Sequence, residues 1–315
     1  MKDLIEIIVD KKILVVGGRG FIGSHVTNSL LEAGAFVTTL SISEPKENTI
    51  PDNVKCLTAD LRNPESLRNA IGGREFDYVI NSAGYIDHAL YFSGGRDLVE
   101  QHFIGTMNLL DAIKSPVLKG FVQLGSSDEY GLIEAPQKEA SREMPISPYA
   151  VAKVATTHLL QMLYRTENVP CAVIRLFLVY GPGQSYERFL PQVIRGCMAG
   201  EVIKTTEGMQ LRDFCYIEDV VKAILMAMVT KEAHGKVINV ASGRSITIRD
   251  MIGKVVSIIG RGEVAYGSIP YRIGENMGLY ADVGLARKLL GWYPVTTLDE
   301  GLKKTIEWYY KEVRE

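Results

Sequence analysis

Lys12-Ile-Leu-Val-Val-Gly17-Gly18-Arg19-Gly20-Phe21-Ile22-Gly23 sets an apolar run directly against a glycine-rich turn. Helical spacing takes over at Phe21 and runs to Ala33, where Gly34 stops it. Strand, glycine turn and helix, in that order, form the context in which a pyrophosphate is held. Glycine permits the tight turn, and the backbone N–H groups at the helix N-terminus face the anion. The spacing is G-x-x-G-x-x-G, at Gly17, Gly20 and Gly23, rather than G-x-G-x-x-G. Gly17, Arg19, Gly20, Phe21, Ile22 and Gly23 are the expected dinucleotide contacts of this turn.

The second β-rich run, Phe36–Leu40, ends in Ser41, where an acidic residue usually binds the adenosine ribose. With no carboxylate to repel a 2′-phosphate, Arg19 and Lys46 could pair with one. The expected cofactor is NAD(H) or NADP(H), with NADP(H) favoured.

Outward from this turn the first half alternates. Val54–Leu57, Tyr78–Ile80, Phe121–Leu124 and Cys171–Val179 read as strands, and Pro64–Ala70, Leu98–Ile113 and Tyr149–Leu163 read as helices. Repeated strand–helix–strand units predict right-handed crossovers and a doubly wound parallel α/β sheet of Rossmann type. After Tyr180 glycine and proline become frequent and the alternation loosens. Residues 1–180 are therefore read as the dinucleotide-binding domain, with returns near 212–242. Residues 181–315 are read mainly as a smaller C-terminal α/β substrate lobe, with Val237–Val240 a buried strand and Ile248–Ile259 and Leu298–Tyr310 amphipathic helices.

Composition narrows the function classes. The 315 residues are 46% apolar and 23% charged, with a formal net charge of −2. That leaves no global basic field for nucleic acid or an anionic membrane. Cys56, Cys171, Cys197 and Cys215 form no C-x-x-C pair, so neither a metal site nor a disulfide frame is expected. The segment 1–12 lacks the apolar core of a signal peptide, and no stretch reaches the roughly 20 apolar residues of a membrane span. A cytoplasmic protein is expected.

Tyr149-Ala-Val-Ala-Lys153 opens a helix after Ser147-Pro148, so phenol and ammonium share one face at i, i+4. Free tyrosine, with a pKa near ~10, is a poor base at neutral pH. A neighbouring Lys⁺ and a nicotinamide cation favour the phenolate, which could then exchange a proton with a sugar hydroxyl. Upstream, Gly125-Ser126-Ser127-Asp128-Glu129-Tyr130-Gly131 ends a strand, where ligands bind in such sheets. Ser126, with Ser127 as runner-up, could orient the reacting oxygen. Asp128 and Glu129 read either as chemistry or as a solvated or salt-bridged turn.

Together these segments resemble the extended short-chain dehydrogenase/reductase family. The matches are Gly17–Gly23, Ala59-Asp60-Leu61, Gly105-Thr106-Met107-Asn108, Ser126–Gly131, Tyr149–Lys153, Arg175–Gly183, Arg212–Asp219 and Leu290-Gly291-Trp292, in order over nearly the whole chain. The resemblance implies a Rossmann domain with a small substrate lobe, a nucleoside-diphosphate sugar as substrate, and a homodimer packed through two helices per subunit. It implies catalytic roles for Ser126, Tyr149 and Lys153. Asp60 and Leu61 would flank the adenine, Ala83 would line the cofactor crevice, and Arg212 would hold the diphosphate. Ser127, Leu178, Gln184, Arg188 and Arg272 are the remaining substrate candidates. Three positions depart from the family pattern. Ser41 replaces the usual acid, Leu178 stands where an asparagine often donates to substrate, and His102 stands where an asparagine is common.

The same chemistry serves several reactions. Nucleotide-sugar 4,6-dehydratases resemble T-D-E or T-S-E, one residue, then Tyr-Gly, and here Asp128 occupies the base position. The segments Thr206–Phe214 and Pro270–Met277 look like 4-keto-6-deoxysugar reductases. A C4 reductase or dehydrogenase is therefore expected first, a 4-epimerase second and a 4,6-dehydratase third. A non-catalytic redox sensor would ordinarily have lost Tyr149 or Lys153, and both are present.

Overall fold

The computed structural model describes residues 2–45, 51, 53–272 and 274–312. A short helix, α1 (Lys2–Ile8), precedes β1 (Lys12–Val16), α2 (Phe21–Glu32), β2 (Phe36–Ser41), β3 (Lys55–Thr58), α3 (Pro64–Ile71) and β4 (Tyr78–Asn81). Next come α4 (Gly95–Val99), a π-helical segment Glu100–Ile104, α5 (Gly105–Ile113), β5 (Gly120–Ser126), α6 (Pro148–Glu167), β6 (Cys171–Leu176) and β7 (Leu178–Tyr180). The remainder carries α7 (Phe189–Ala199), β8 (Val202–Lys204), β9 (Leu211–Tyr216), α8 (Ile217–Val229), β10 (Val237–Val240), β11 (Ser245–Thr247), α9 (Ile248–Ile259), β12 (Glu263–Ala265), β13 (Gly278–Leu279), α10 (Gly284–Leu290) and α11 (Leu298–Glu312).

Seven strands form one parallel sheet in the order β10-β6-β5-β4-β1-β2-β3. The side-chain period of a strand explains how two cores form on it. Ile13 and Val15 of β1 face one way and pack with Val26 and Leu30 of α2 and Val220 and Ile224 of α8. Leu14 and Val16 face the other way, with Leu67 of α3, Leu109 of α5 and Leu160 of α6. The chain leaves β1 for β2 on one side and later crosses to β4 on the other. That reversal opens a crevice at the carboxyl ends of β1 and β4, the place where such sheets take ligands.

Local signals set the helix ends. Asn63 caps α3 by accepting from the N–H groups of Glu65 and Ser66, each at 3.0 Å, ahead of Pro64, and left-handed Gly72 ends the helix. Ser147 caps α6 through the Ala150 N–H at 3.1 Å, again followed by proline.

Two expectations need correction. The run Cys171–Val179 is not one strand: β6 stays in the large sheet, while β7 leaves it and pairs parallel to β9 in a second sheet with β11 and β13. The helix expected at Leu98–Ile113 begins at Gly95 and passes through the π-helical segment. Helix α1, which alternating apolar and charged residues did not announce, packs on α8 through buried Ile8. Among the described residues no helix is long and apolar enough to cross a membrane.

Trp292 closes the core around α8. Its indole Nε1 donates to the Asp219 carbonyl at 2.9 Å, and the Asp219 carboxylate accepts from the N–H groups of Val295 (3.1 Å) and Thr296 (2.9 Å). One acid in the first turn of α8 thus pins the segment leading to α11. Trp292→Ala, which empties a fully buried site and removes the indole's hydrogen bond to the Asp219 carbonyl, is expected to destabilise the chain by about 3–5 kcal/mol. Urea unfolding followed by circular dichroism checks this.

Candidate active site

Three elements deliver the chemistry to one place. Strand β5 ends at Ser126, whose hydroxyl caps the 3₁₀ turn Ser127–Tyr130 by accepting from the Asp128 N–H at 3.2 Å. The first turns of α6 carry Tyr149 and Lys153, both buried. The Lys153 ammonium donates to the Leu124 carbonyl of β5 at 2.8 Å and lies 5.7 Å from the centre of the Tyr149 ring. The Ser126 hydroxyl acts on the Tyr149 phenol, favouring its ionised form. From the π-helical segment, His102 sets its ring edge-on against Tyr149, with centroids 4.9 Å apart, while its Nε2 pairs with the Tyr85 carbonyl at 2.9 Å. The structure thus brings Ser126, Tyr149 and Lys153 to the junction of β5 and α6. His102, noted in the sequence only as a departure, forms a wall of the same site.

Burial dominates the electrostatics. It pulls the Lys153 ammonium down to about 8, against the nearby Glu129 carboxylate, which raises it. Burial, followed by Lys153's own charge, drops His102 to about 3, so its ring is neutral. Burial first, then the Asp128 carboxylate, pushes the Tyr149 phenol above its ordinary value, while the Ser126 hydroxyl opposes the rise. The expected lowering of Tyr149 is thus not set by the polypeptide around it. Burial also raises Asp128, against the nearby guanidinium groups of Arg188, Arg212 and Arg272.

The glycine turn fits a dinucleotide pyrophosphate. Gly17 has φ +75°, and a Cβ there would lie 2.8 Å from the Ala83 backbone across the crevice. A Cβ on Gly23 would fall 2.1 Å from the Gly17 carbonyl. Gly20 caps α2 with no side chain on the first-turn N–H groups, which leaves them for an anion. Ser41, at the end of β2, holds a buried hydroxyl oxygen with no hydrogen-bond partner among the described residues, which fits a ribose hydroxyl. Phe21 and Ile22 are half-buried at the start of α2. Arg19 donates to the Ser43 carbonyl, and Lys46 lies outside the described residues. Asp60 pairs with Arg62 at 2.7 Å. The Leu61 side chain is in the core, and its carbonyl accepts from Asn108 at 2.9 Å.

On the substrate side, Arg212 is ion-paired with Glu275 and donates from Nη1 to its neighbour Leu211 at 2.8 Å. Arg188 and Arg272 are exposed, and Ser127 is buried. Leu178 packs half-buried in β7. Gln184 already donates to the Val179 carbonyl at 2.8 Å. Glu129 is neither solvated nor on the surface. It is fully buried and salt-bridged to Arg175 at 2.8 Å, a pairing 46 residues apart that no local spacing announces.

The family model described as NAD dependent epimerase/dehydratase family matches residues 13–241. The chain is similar to a putative UDP-glucose 4-epimerase of Methanocaldococcus jannaschii, 29% identical over 314 residues that cover 94% of this chain and 97% of that protein. It is also similar to a dTDP-glucose 4,6-dehydratase of Neisseria gonorrhoeae, 26% identical over 95% of each chain. Among solved structures, the UDP-glucose 4-epimerase of Thermotoga maritima superposes with a TM-score of 0.87 at 29% identity, covering 96% of this chain and 99% of that one. With the glycine cradle, the Tyr149–Lys153 pair and the seven-stranded parallel sheet in place, the chain belongs to the NAD dependent epimerase/dehydratase family of extended short-chain dehydrogenases/reductases.

Proposed function

We propose that this enzyme oxidises and reduces C4 of the sugar in a nucleoside-diphosphate sugar, using NAD(H). The observation that carries the reading is the convergence of Ser126, Tyr149 and Lys153 at the carboxyl end of β5, beside the glycine cradle. When bound, the dinucleotide supplies the hydride acceptor or donor and a positive ring that favours a phenolate. Tyr149 takes the proton of the sugar hydroxyl at its phenol oxygen, or returns it in the reverse direction. Ser126 hydrogen-bonds the same sugar oxygen and fixes its distance from the phenol. Lys153, held by Leu124, keeps a positive charge beside the phenolate. The neutral His102 ring blocks water from the far side of Tyr149 without adding charge. Arg212 and Arg272 present guanidinium groups to the diphosphate.

The NADP(H) preference read from Arg19 finds no support, since the matched family model names NAD and Arg19 is engaged with Ser43. Reduction of a 4-keto sugar was the first expectation, whereas the similar proteins carry the names of 4-epimerases and 4,6-dehydratases. All three begin or end with hydride exchange at C4. Elimination needs an acid as well as a base next to the hydroxyl residue. Asp128 is one methylene shorter than the glutamate of the T-D-E and T-S-E patterns, which weighs against elimination. Asp128 favours a second reading. A half-buried carboxyl with a raised pKa beside Tyr149 can move protons at C5 and C6, as a dehydratase requires.

A homodimer is proposed on one apolar face, where Ile104 and Met107 of the π-helical segment and α5, and Val151 and Met162 of α6, are exposed. Light scattering is expected to give a dimer mass, and Val151→Glu with Met162→Glu a monomer mass.

Tyr149→Phe is expected to lower kcat by about 10²–10⁴-fold, with NAD affinity by calorimetry changed only a few-fold. Undiminished turnover would sink the catalytic assignment. Proton NMR of the product of a nucleoside-diphosphate hexose is expected to show C6 still hydroxylated. A C6 methyl signal that disappears in Asp128→Asn would establish the dehydratase reading instead.

A further inference from the structure

Behind the catalytic serine lies a buried ionic cluster that the proposed chemistry does not use. Glu129 Oε1 accepts from the Ser126 N–H at 2.9 Å. Glu129 Oε2 accepts from the Thr157 hydroxyl at 2.7 Å and from Arg175 Nε at 2.9 Å. Arg175 also reaches Glu143 at 2.5 Å and lies 4.7 Å from the centre of the Tyr130 ring. Thr157 is one helical turn beyond Lys153, so a single carboxylate touches both the strand end bearing Ser126 and the helix bearing Tyr149 and Lys153. The fit is tight: a Cβ on Gly125 would lie 2.5 Å from Glu129 Oε1.

Two carboxylates, Glu129 and Glu143, face one guanidinium, Arg175. The second positive group that Glu129 acts on is the Lys153 ammonium of α6, and the largely exposed His158 ring lies 3.4 Å from Glu143. Tyr149 and Lys153 from α6, Arg175 from β6, Tyr130 from the turn itself and Glu139 and Glu143 from the loop before α6 complete the ionisable groups around Glu129.

We propose that Glu129 is a positioning residue for the catalytic pair, its carboxylate fixing Ser126 and α6 while holding a negative charge behind Tyr149 and Lys153. The proposal rests on the Tyr149–Lys153 chemistry above. Its physical consequence has a definite sign. A nearby negative charge makes every proton on the pair harder to lose. Glu129 raises Lys153 against burial, and it also raises Tyr149. The working form of the pair is bounded by one proton loss on the acid side and one on the alkaline side. Removing the charge therefore moves both limbs of the pH–rate profile toward acid.

Glu129→Gln keeps the acceptor for Ser126 and Thr157 but removes the charge. In the full chain, the Lys153 ε-carbon resonance, assigned by its loss in Lys153→Arg, is expected to titrate about one pH unit lower in Glu129→Gln. Both limbs of the pH–rate profile are expected to shift the same way. Glu143→Gln removes the same charge from the far side of Arg175, and a smaller shift in the same direction is expected. It also decides the matter should Glu129→Gln fail to fold. A lowered kcat with an unmoved profile and an unmoved Lys153 would reduce Glu129 to a scaffold residue and overturn the proposal. If Lys153 moves but the wild-type protein turns over no nucleotide sugar, the charge relation stands and the proposed function falls.

Discussion

One hydrogen bond ties the chemistry to the fold: the Lys153 ammonium donating to the Leu124 carbonyl at 2.8 Å. It crosses from α6 to β5 at the point where the strand must still be extended to bring Ser126 to its carboxyl end. A buried ammonium satisfied by one neutral carbonyl is an expensive arrangement, since desolvation disfavours the charged form. The helix tolerates it because Ser147 and Pro148 start α6 at a defined residue and so fix the rotation of its first turns. A shift of one residue would turn Lys153 by about 100° around the helix, away from β5, and Tyr149 with it. Catalytic geometry and helix register are in this sense the same constraint.

The ionic cluster around Glu129 extends that constraint deeper into the sheet. Ion pairs buried this completely are poor sources of net stability, because desolvation offsets most of the attraction, while breaking one leaves a lone charge in the core. What such a cluster gives is specificity of position. Arg175 in β6 can meet Glu129 only if β5 and β6 hold the register Ser126↔Leu176, and Glu129 can meet Thr157 only if α6 lies at one height. Strand register, turn and helix are thus tied together through one buried carboxylate.

The sequence made the scaffold legible because its signals are local. The apolar run before Gly17, the cap-and-proline starts of α3 and α6, and the i, i+4 spacing of Tyr149 and Lys153 each lie within one element, so periodicity and turn chemistry suffice to read them. Two kinds of feature escaped. The Cys171–Val179 run is continuously apolar, and an apolar run carries no mark of where the chain exchanges one sheet for another at Phe177. The Glu129–Arg175 pair joins positions 46 residues apart. An acidic Asp128-Glu129 step in a serine-rich turn is locally indistinguishable from solvated surface. The Tyr149 environment escaped for a related reason. Spacing shows that Lys153 is near, but only the packed structure shows how much burial opposes it.

The same distinction explains why family membership is firm while the net reaction is a proposal. Hydride exchange at C4 needs only the parts that local sequence encodes: a glycine cradle, a hydroxyl, a phenol and an ammonium. Whether a keto sugar is turned over, reduced from solution or dehydrated depends on the space and charge around the ring. Those are set by side chains converging from distant elements, with Asp128 from the turn after β5, Arg188 from the start of α7, Arg212 from β9, and Arg272 from the segment before β13. Three guanidinium groups around one carboxyl exceed what that carboxyl neutralises, and Glu275 already answers Arg212. The surplus suits a doubly charged diphosphate, which would let Asp128 ionise or stay protonated according to how the ligand's charges sit. On the proposed reading, the charge of this one turn residue, coupled to where the diphosphate rests, would separate simple C4 redox chemistry from elimination.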